Sequence, residues 1–488
     1  MRRVLLDAAW DNPNYWLRYA LLRNALRLSQ AREVVVLGPF RSGESRRTAR
    51  CFGISDTVAL EGSRPSSEDR RQARALVEGA SAPHDVLGWE LPYRFPAEMA
   101  YDALLKWQRA AVLDIHDERL PEMMARNIAL LHEADRLVET GAFDLVVVSH
   151  VVNFQYAALA WAAVRRGIPT LLLTGDYGVA RFTKLSAASD FFDAVNRPRL
   201  EDFVAVPAWK ADALAECGRA YLAKRLTGRT GDIGGEYAFG QASGPADRAQ
   251  LCTEFGWPPE RPIIAVYAPT WFDYPHYCGM RNFRDFHDWL ATTAAAVQGI
   301  TSVSWLFRAH PLDAWYRGVR MADLMPVELP PHVRIAPVGW SGAAVMRAVD
   351  ALVGYHGTSG IEYAAMGKPV LLADRGWYHD FGFARWCRSR EEYLLELSRE
   401  WWREANTAET SRRAQVFAGW YFGRPDWQED FVLCDDSAQA AIYEDLPEFV
   451  RRHDPAIRRE ILTIAEWMMA SSRFYHVYKM ARADAYLP

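Results

Sequence analysis

"VGYHGTSGIEYAAMGKPVLLADRG", from Val353 to Gly376, is the stretch whose pattern decides the fold. An apolar strand at 351–357 ends in His-Gly-Thr-Ser and opens into a short helix. After Gly-Lys-Pro a second apolar strand follows at 369–374. A core alone has no use for a ring nitrogen, two hydroxyls and glycines at one strand–helix junction. Thr358 or Ser359 would cap the helix, and a helix start offers free N–H groups and a positive dipole end, both suited to phosphate. Gly357 and Gly360 let a ligand approach the backbone. Glu362, four residues past Thr358 on the same face, is within reach of a ribose, and His356 can donate to a phosphate or a leaving group. The same residues also read as a capped helix beside a hydrogen-bonded core histidine.

Outward from this stretch, short apolar runs alternate with helical segments, the pattern of a parallel sheet covered by helices. One series comprises strands at 3–7, 33–38, 56–61, 144–150 and 169–176. A helix is expected over 14–30, a helix-rich insertion over roughly 96–140, and a crossover helix after His150. A second series holds strands at 262–271, 303–311, 333–338, 351–357 and 369–374. The expectation is an α/β chain with two Rossmann-like domains: 1–226 with its helical insertion, a glycine-rich linker at 227–255, a second domain at 256–430, and a helical tail at 431–488.

The composition fits a globular protein of two or three domains, with 488 residues, half of them hydrophobic. A net charge of −4 argues against a general nucleic-acid binder. The 19 Trp call for large aromatic cores, or for carbohydrate or membrane contacts. Six scattered cysteines without a CxxC pair suit neither zinc nor a disulfide framework and point to a reducing compartment. Asp7 and Asp11 interrupt any signal-peptide core, and no apolar run approaches the length of a bilayer span. A cytoplasmic location is expected.

Open parallel sheets bind ligands beyond the carboxyl ends of their strands. The unusual polar residues fall at those ends: Asp7, His150, Asp176, Thr270, His310 and His356. In "RAHP", 308–311, the proline fixes the end of a strand and would set Arg308 and His310 beside His356 if the two strands are neighbours. In "YAPTW", 267–271, Thr270 is placed to donate to a phosphate.

Taken together, "VYAPTW", "RAHP" and "GYHGTSGIEYAAMGKPVLLA" resemble the C-terminal domain of GT-B enzymes that act on cell-surface polymers. Two groups are most similar: capsular polysaccharide biosynthesis proteins, including Kdo transferases, and CDP-glycerol glycerophosphotransferases. The resemblance spans 262 to 380, about a quarter of the chain. It implies a GT-B fold with two domains facing a cleft, the acceptor on the first and a cytidine nucleotide-sugar donor on the second. It further implies that His310 and His356 contact the donor phosphate beside Thr358 and Ser359, and that Glu362 holds the ribose. An acidic motif ending in glycine would supply the base, and "TGDYG", 174–178, matches it with one aromatic between Asp176 and the glycine.

A carboxylate such as Asp176 suits inverting transfer, where a base deprotonates the acceptor hydroxyl. The histidines, Arg308 and the helix start would stabilise the leaving phosphate without a metal. No DxD-type pair stands at a strand end, and Asp435-Asp436 reads as a solvated turn, so neither metal nor cofactor is expected. His150 is the rival base and suits the glycerophosphotransferase reading better. Asp11, Asn12 and Trp16 follow the first strand, where they would bind a glycan or lipid-linked acceptor; an Asx-Pro turn ahead of a helix accounts for them equally. The basic, aromatic segment 455–488 suits an anionic membrane surface or a terminal helix crossing back to the first domain, and its apolar face reads as core. The readings left open are a glycosyltransferase forming a surface glycan, a glycerophosphotransferase, and a non-catalytic sugar- or nucleotide-binding protein.

Overall fold

The structure is a computed structural model. It describes residues 3–7, 33–38, 57–59, 64–174, 181–193, 200–229, 233–241, 243–313, 318–403, 408–422 and 474–476. The chain divides into two compact units. One comprises Met1–Ala103, Asp114–Asn196 and Pro425–Pro488; the other comprises Leu104–Leu113 and Arg197–Arg424.

The first unit is built on a seven-stranded sheet. Its strands are β1 (Arg3–Asp7), β2 (Glu33–Gly38), β3 (Thr57–Ala59), β4 (Phe143–Val148), β5 (Thr170–Thr174), β6 (Arg181–Leu185) and β13 (Phe474–His476), in the order β13-β6-β5-β4-β1-β2-β3. The first five are parallel, and each corresponds to an apolar run read from the sequence. β1 and β4 are apolar nearly throughout because helices cover both faces of such a sheet. Two strands were not legible. β6 pairs antiparallel with β5, and β13 pairs antiparallel with β6. Residues 474–476 are therefore strand, not helix as expected of the tail. The expected insertion holds the helices Ala97–Gln108 and Leu120–Gly141, and the crossover helix is Asn153–Arg165.

The second unit carries six parallel strands: β7 (Ile263–Tyr267), β8 (Ser304–Arg308), β9 (Val333–Ile335), β10 (Ala351–Gly354), β11 (Val370–Leu372) and β12 (Arg385–Trp386). Their order is β12-β11-β10-β7-β8-β9. From β7, the chain steps outward through β8 and β9, then returns to lay β10 on the opposite side of β7. That is the Rossmann order, and its reversal between β7 and β10 opens a crevice at their carboxyl ends.

Among the described residues Trp271, Trp289 and Trp305 are fully buried in the core, Trp377 lies against Tyr421 at 4.9 Å, and Trp209 is exposed. Two features depart from the expected divisions. The helix Ala208–Leu226 belongs to the second unit and packs along the helix Ala408–Tyr421. A side chain on Gly218 would collide with the carbonyl of Gln415, and one on Gly419 with that of Leu214, so paired glycines set this close approach. The stretch 227–255, read as a linker, contains the helices Ile233–Phe239 and Arg248–Phe255. Asp247 caps the second, accepting from the Gln250 N–H at 2.9 Å. The helix expected over 14–30 lies outside the described residues.

Candidate functional site

The site is assembled in the second unit, where β7, β8 and β10 end side by side. β8 and β10 lie in one sheet but are not neighbours, so the condition for setting Arg308 and His310 directly beside His356 is not met; β7 runs between them. A residue after β7 bears electrostatically on both histidines. The carboxylate of Asp273 acts on both His310 and His356, favouring the protonated form of each. Burial outweighs it and pushes each imidazole down to about 4, so both rings are neutral at pH 7.

His356 follows β10 with its ring against Phe286 (5.3 Å) and Tyr355 (5.1 Å). Its Nδ1 is buried without a hydrogen-bond partner. Such an atom is costly to leave unsatisfied, so this one is a candidate contact for a ligand. The backbone around it is held by the loop after β11: Trp377 Nε1 donates to the His356 carbonyl (2.9 Å), and the Tyr378 hydroxyl to that of Gly357 (2.6 Å). A Cβ on Gly360 would run into the Tyr378 hydroxyl, so the glycine at this position is a packing requirement.

Gly357 is exposed, Thr358 and Ser359 are half-buried, and the helix Ser359–Ala365 follows. Thr358 stands at the cap position with helical dihedrals and makes no side-chain cap bond, contrary to expectation. Its Oγ1 accepts instead from Arg225 Nη2 at 3.3 Å. The same guanidinium donates through Nε to Glu362 Oε1 at 2.6 Å, a buried ion pair. Glu362, expected at the ribose, is thus engaged by Arg225.

Arg308 is buried at the end of β8. Its Nη2 donates to the carbonyls of Trp340 (3.1 Å) and Ala238 (3.3 Å), and its guanidinium lies over the Tyr267 ring at 5.1 Å. Among the described residues it has no carboxylate partner. His310 Nδ1 accepts from the Leu312 N–H at 3.3 Å. This leaves the ring proton on Nε2 and makes the Thr270 hydroxyl, 3.0 Å from Nδ1, a donor to the same nitrogen. Thr270 therefore orients His310. Asp313 closes this turn, its N–H donating to the His310 carbonyl (3.1 Å), and burial pushes its carboxyl up to about 7.

Sequence reasoning missed Arg225, Asp273, Asp313 and Lys106, whose Nζ lies 2.8 Å from Asp273 Oδ1. Asp273 was within reach, two residues past "YAPTW". Arg225 and Lys106 gave no signal, being brought in from helices distant in the chain.

In the first unit, His150 follows β4 with Nδ1 3.0 Å from Ser149 Oγ and its ring 5.3 Å from Tyr156. Burial pushes it down to about 4. Asp7, ending the neighbouring β1, is fully buried. Asp176, Asp11, Asn12 and Trp16 lie outside the described residues. Among the described residues no group of three or more His, Cys, Asp or Glu is placed to hold a metal, and no helix is long and apolar enough to cross a membrane.

No protein-family model matches the sequence, and no curated protein matches it. Solved structures similar to it include Thermosulfurimonas dismutans KpsC, described as a beta Kdo 2,4 transferase, at TM-score 0.38 and 15% identity, covering 56% of this chain and 79% of that one. The glycosyltransferase SnogD from Streptomyces nogalater aligns at TM-score 0.27 and 14% identity, over 86% of this chain and 95% of that one. UDP-GlcNAc 2-epimerase from Neisseria meningitidis aligns at TM-score 0.26 and 11% identity, over 92% and 100%. At scores and identities this low, the likeness assigns neither activity nor ligand to this chain.

Proposed function

We propose that the crevice at the ends of β7 and β10 binds the phosphate of a nucleotide-sugar donor, and that the chain is an inverting glycosyltransferase of GT-B type. The observation that carries the reading is two buried groups at the carboxyl ends of strands of one sheet, on either side of β7. His356 Nδ1 has no hydrogen-bond partner, and Arg308 has no carboxylate partner among the described residues. A bound anion would compensate the guanidinium and, with His356 as its Nδ1–H tautomer, would accept from that nitrogen. The motifs shared with Kdo transferases and glycerophosphotransferases extend the reading to a cytidine nucleotide as donor, a 3-deoxy-ulosonate such as Kdo as the sugar, and a surface glycan as acceptor.

In this reading His310 and His356 meet the leaving phosphate, Thr270 fixes the His310 tautomer, and Asp176 or His150 takes the acceptor proton. Protein groups supply the positive charge, so transfer is expected to survive EDTA. Titration calorimetry with CMP, CDP, UDP and GDP tests the donor. Binding of CMP supports the ulosonate reading, and binding of CDP alone shifts it to a glycerophosphotransferase. Preference for UDP or GDP overturns the cytidine assignment, and no binding by any of the four or by a simple phosphodiester overturns the donor site.

A further inference from the structure

The ion pair between Lys106 and Asp273 has no part in the scheme above, yet it stands at the same crevice. Asp273 ends a tight turn whose N–H donates to the Thr270 carbonyl (3.1 Å), and the Thr270 side chain holds His310. The turn continues through Tyr274, a non-glycine residue at φ 54, a conformation that costs free energy and is found where a site dictates the backbone. Lys106, distant in sequence, reaches Asp273 with its Nζ at 2.8 Å and lies over the rings of Phe272 (5.3 Å) and Tyr274 (5.1 Å). Asp273 is half-exposed, unlike the buried ion pair of Arg225 with Glu362, and its charge reaches both histidines.

A carboxylate facing the groups that would meet a phosphate is unfavourable for anion binding unless it has a purpose. Here it cancels Lys106, and the pair of Arg225 and Glu362 cancels itself. Among the described residues Arg308 has no carboxylate partner, and Asp313, buried in the turn after β8 with its carboxyl pushed up to about 7, adds at most part of a negative charge. That leaves electrostatic room for about one negative charge.

We propose that Asp273, held by Lys106, is the residue that limits the ligand's charge at this site, admitting a singly charged phosphodiester and disfavouring a multiply charged phosphate. The proposal rests on the phosphate-site reading given above. Asp273 selects by cancelling the lysine that would otherwise attract a second charge: a monoanion is met by Arg308, and each further charge on the ligand meets no further free cation. The aromatic faces under Lys106 keep the lysine on the carboxylate and away from the ligand.

The test compares the affinities of inorganic pyrophosphate and dimethyl phosphate for the full chain at low ionic strength, by calorimetry, in the wild type, Asp273→Asn and Lys106→Met. Thermal melts establish that each variant is folded. In Asp273→Asn the ratio of pyrophosphate to diester affinity should rise about tenfold, since the removed charge acts on every charge of the ligand. In Lys106→Met, where Asp273 is left uncompensated, the ratio should fall. Should Asp273→Asn fail to fold, a fall in Lys106→Met decides for the proposal and an unchanged ratio decides against it. If the wild type binds and the ratio is the same in the folded variants, Asp273 does not select charge and the donor site stands. If the wild type binds neither probe, the phosphate-site reading falls and this inference falls with it.

Discussion

At the scale of single residues, the site depends on two imidazoles held neutral by burial and oriented by different means. His310 is fixed by Thr270 and the Leu312 N–H, whereas His356 is fixed by aromatic neighbours and keeps a bare buried Nδ1. A neutral imidazole still carries one N–H, which can donate to a phosphate oxygen. His310→Ala and His356→Ala are each expected to reduce transfer by about two orders of magnitude, within the range for one lost electrostatic contact. Thr270→Val should act through His310 and cost less. Steady-state rates of the three variants check this ordering. Near-normal rates in both histidine variants would remove the phosphate-site assignment.

At the scale of elements, Arg225 ties the helix Ala208–Leu226 to the start of the site helix Ser359–Ala365 through Thr358 and Glu362. Removing one member of a buried pair leaves the other charge uncompensated, whereas removing both does not. Arg225→Met should therefore lower the stability of the second unit by about 3–5 kcal/mol, and the double variant Arg225→Met, Glu362→Leu should recover most of that loss. Denaturant melts of the two decide the matter. A single variant as stable as the wild type would mean that water reaches Glu362. The "TSGIE" stretch shows how far local pattern goes. It marks strand, helix and the turn between them, but local pattern offers Thr358 or Ser359 as the cap, and Thr358, which stands at the cap position, makes no cap bond. The hydroxyl instead serves an arginine more than a hundred residues away, which no local window contains.

At the scale of the whole molecule, buried histidines occur in both units, and their acid response follows from linkage. His150, His310 and His356 are depressed from 6.5 to about 4. The unfolded chain takes up protons that the folded chain refuses as pH falls through this window. Their contribution is complete above pH 6.5 and is lost as pH falls toward 4. Asp313, raised from 3.8 to about 7, acts in the opposite sense, its contribution being lost as pH rises through 7. Three groups oppose one, so the melting temperature should fall between pH 7 and pH 5, by roughly 5 °C or more. His310→Gln should flatten that dependence. A melting temperature that rises on acidification would contradict the burial of these rings.

The sequence by itself determined the class of fold and the places where chemistry is expected. Each apolar run that became a parallel strand was legible, because a strand covered on both faces is apolar throughout and its polar punctuation falls at its carboxyl end. Thr270, Arg308, His310 and His356 were legible for the same reason. Only the tertiary structure decided the strand order, which set β7 between the two histidine-bearing strands, and the partners that neutralise the site. Lys106 reaches Asp273 across 167 residues, and Arg225 reaches Glu362 across 137. Ion pairs of that reach leave no periodicity in the chain, because charge complementarity is a property of distance in space and the sequence records only distance along the backbone.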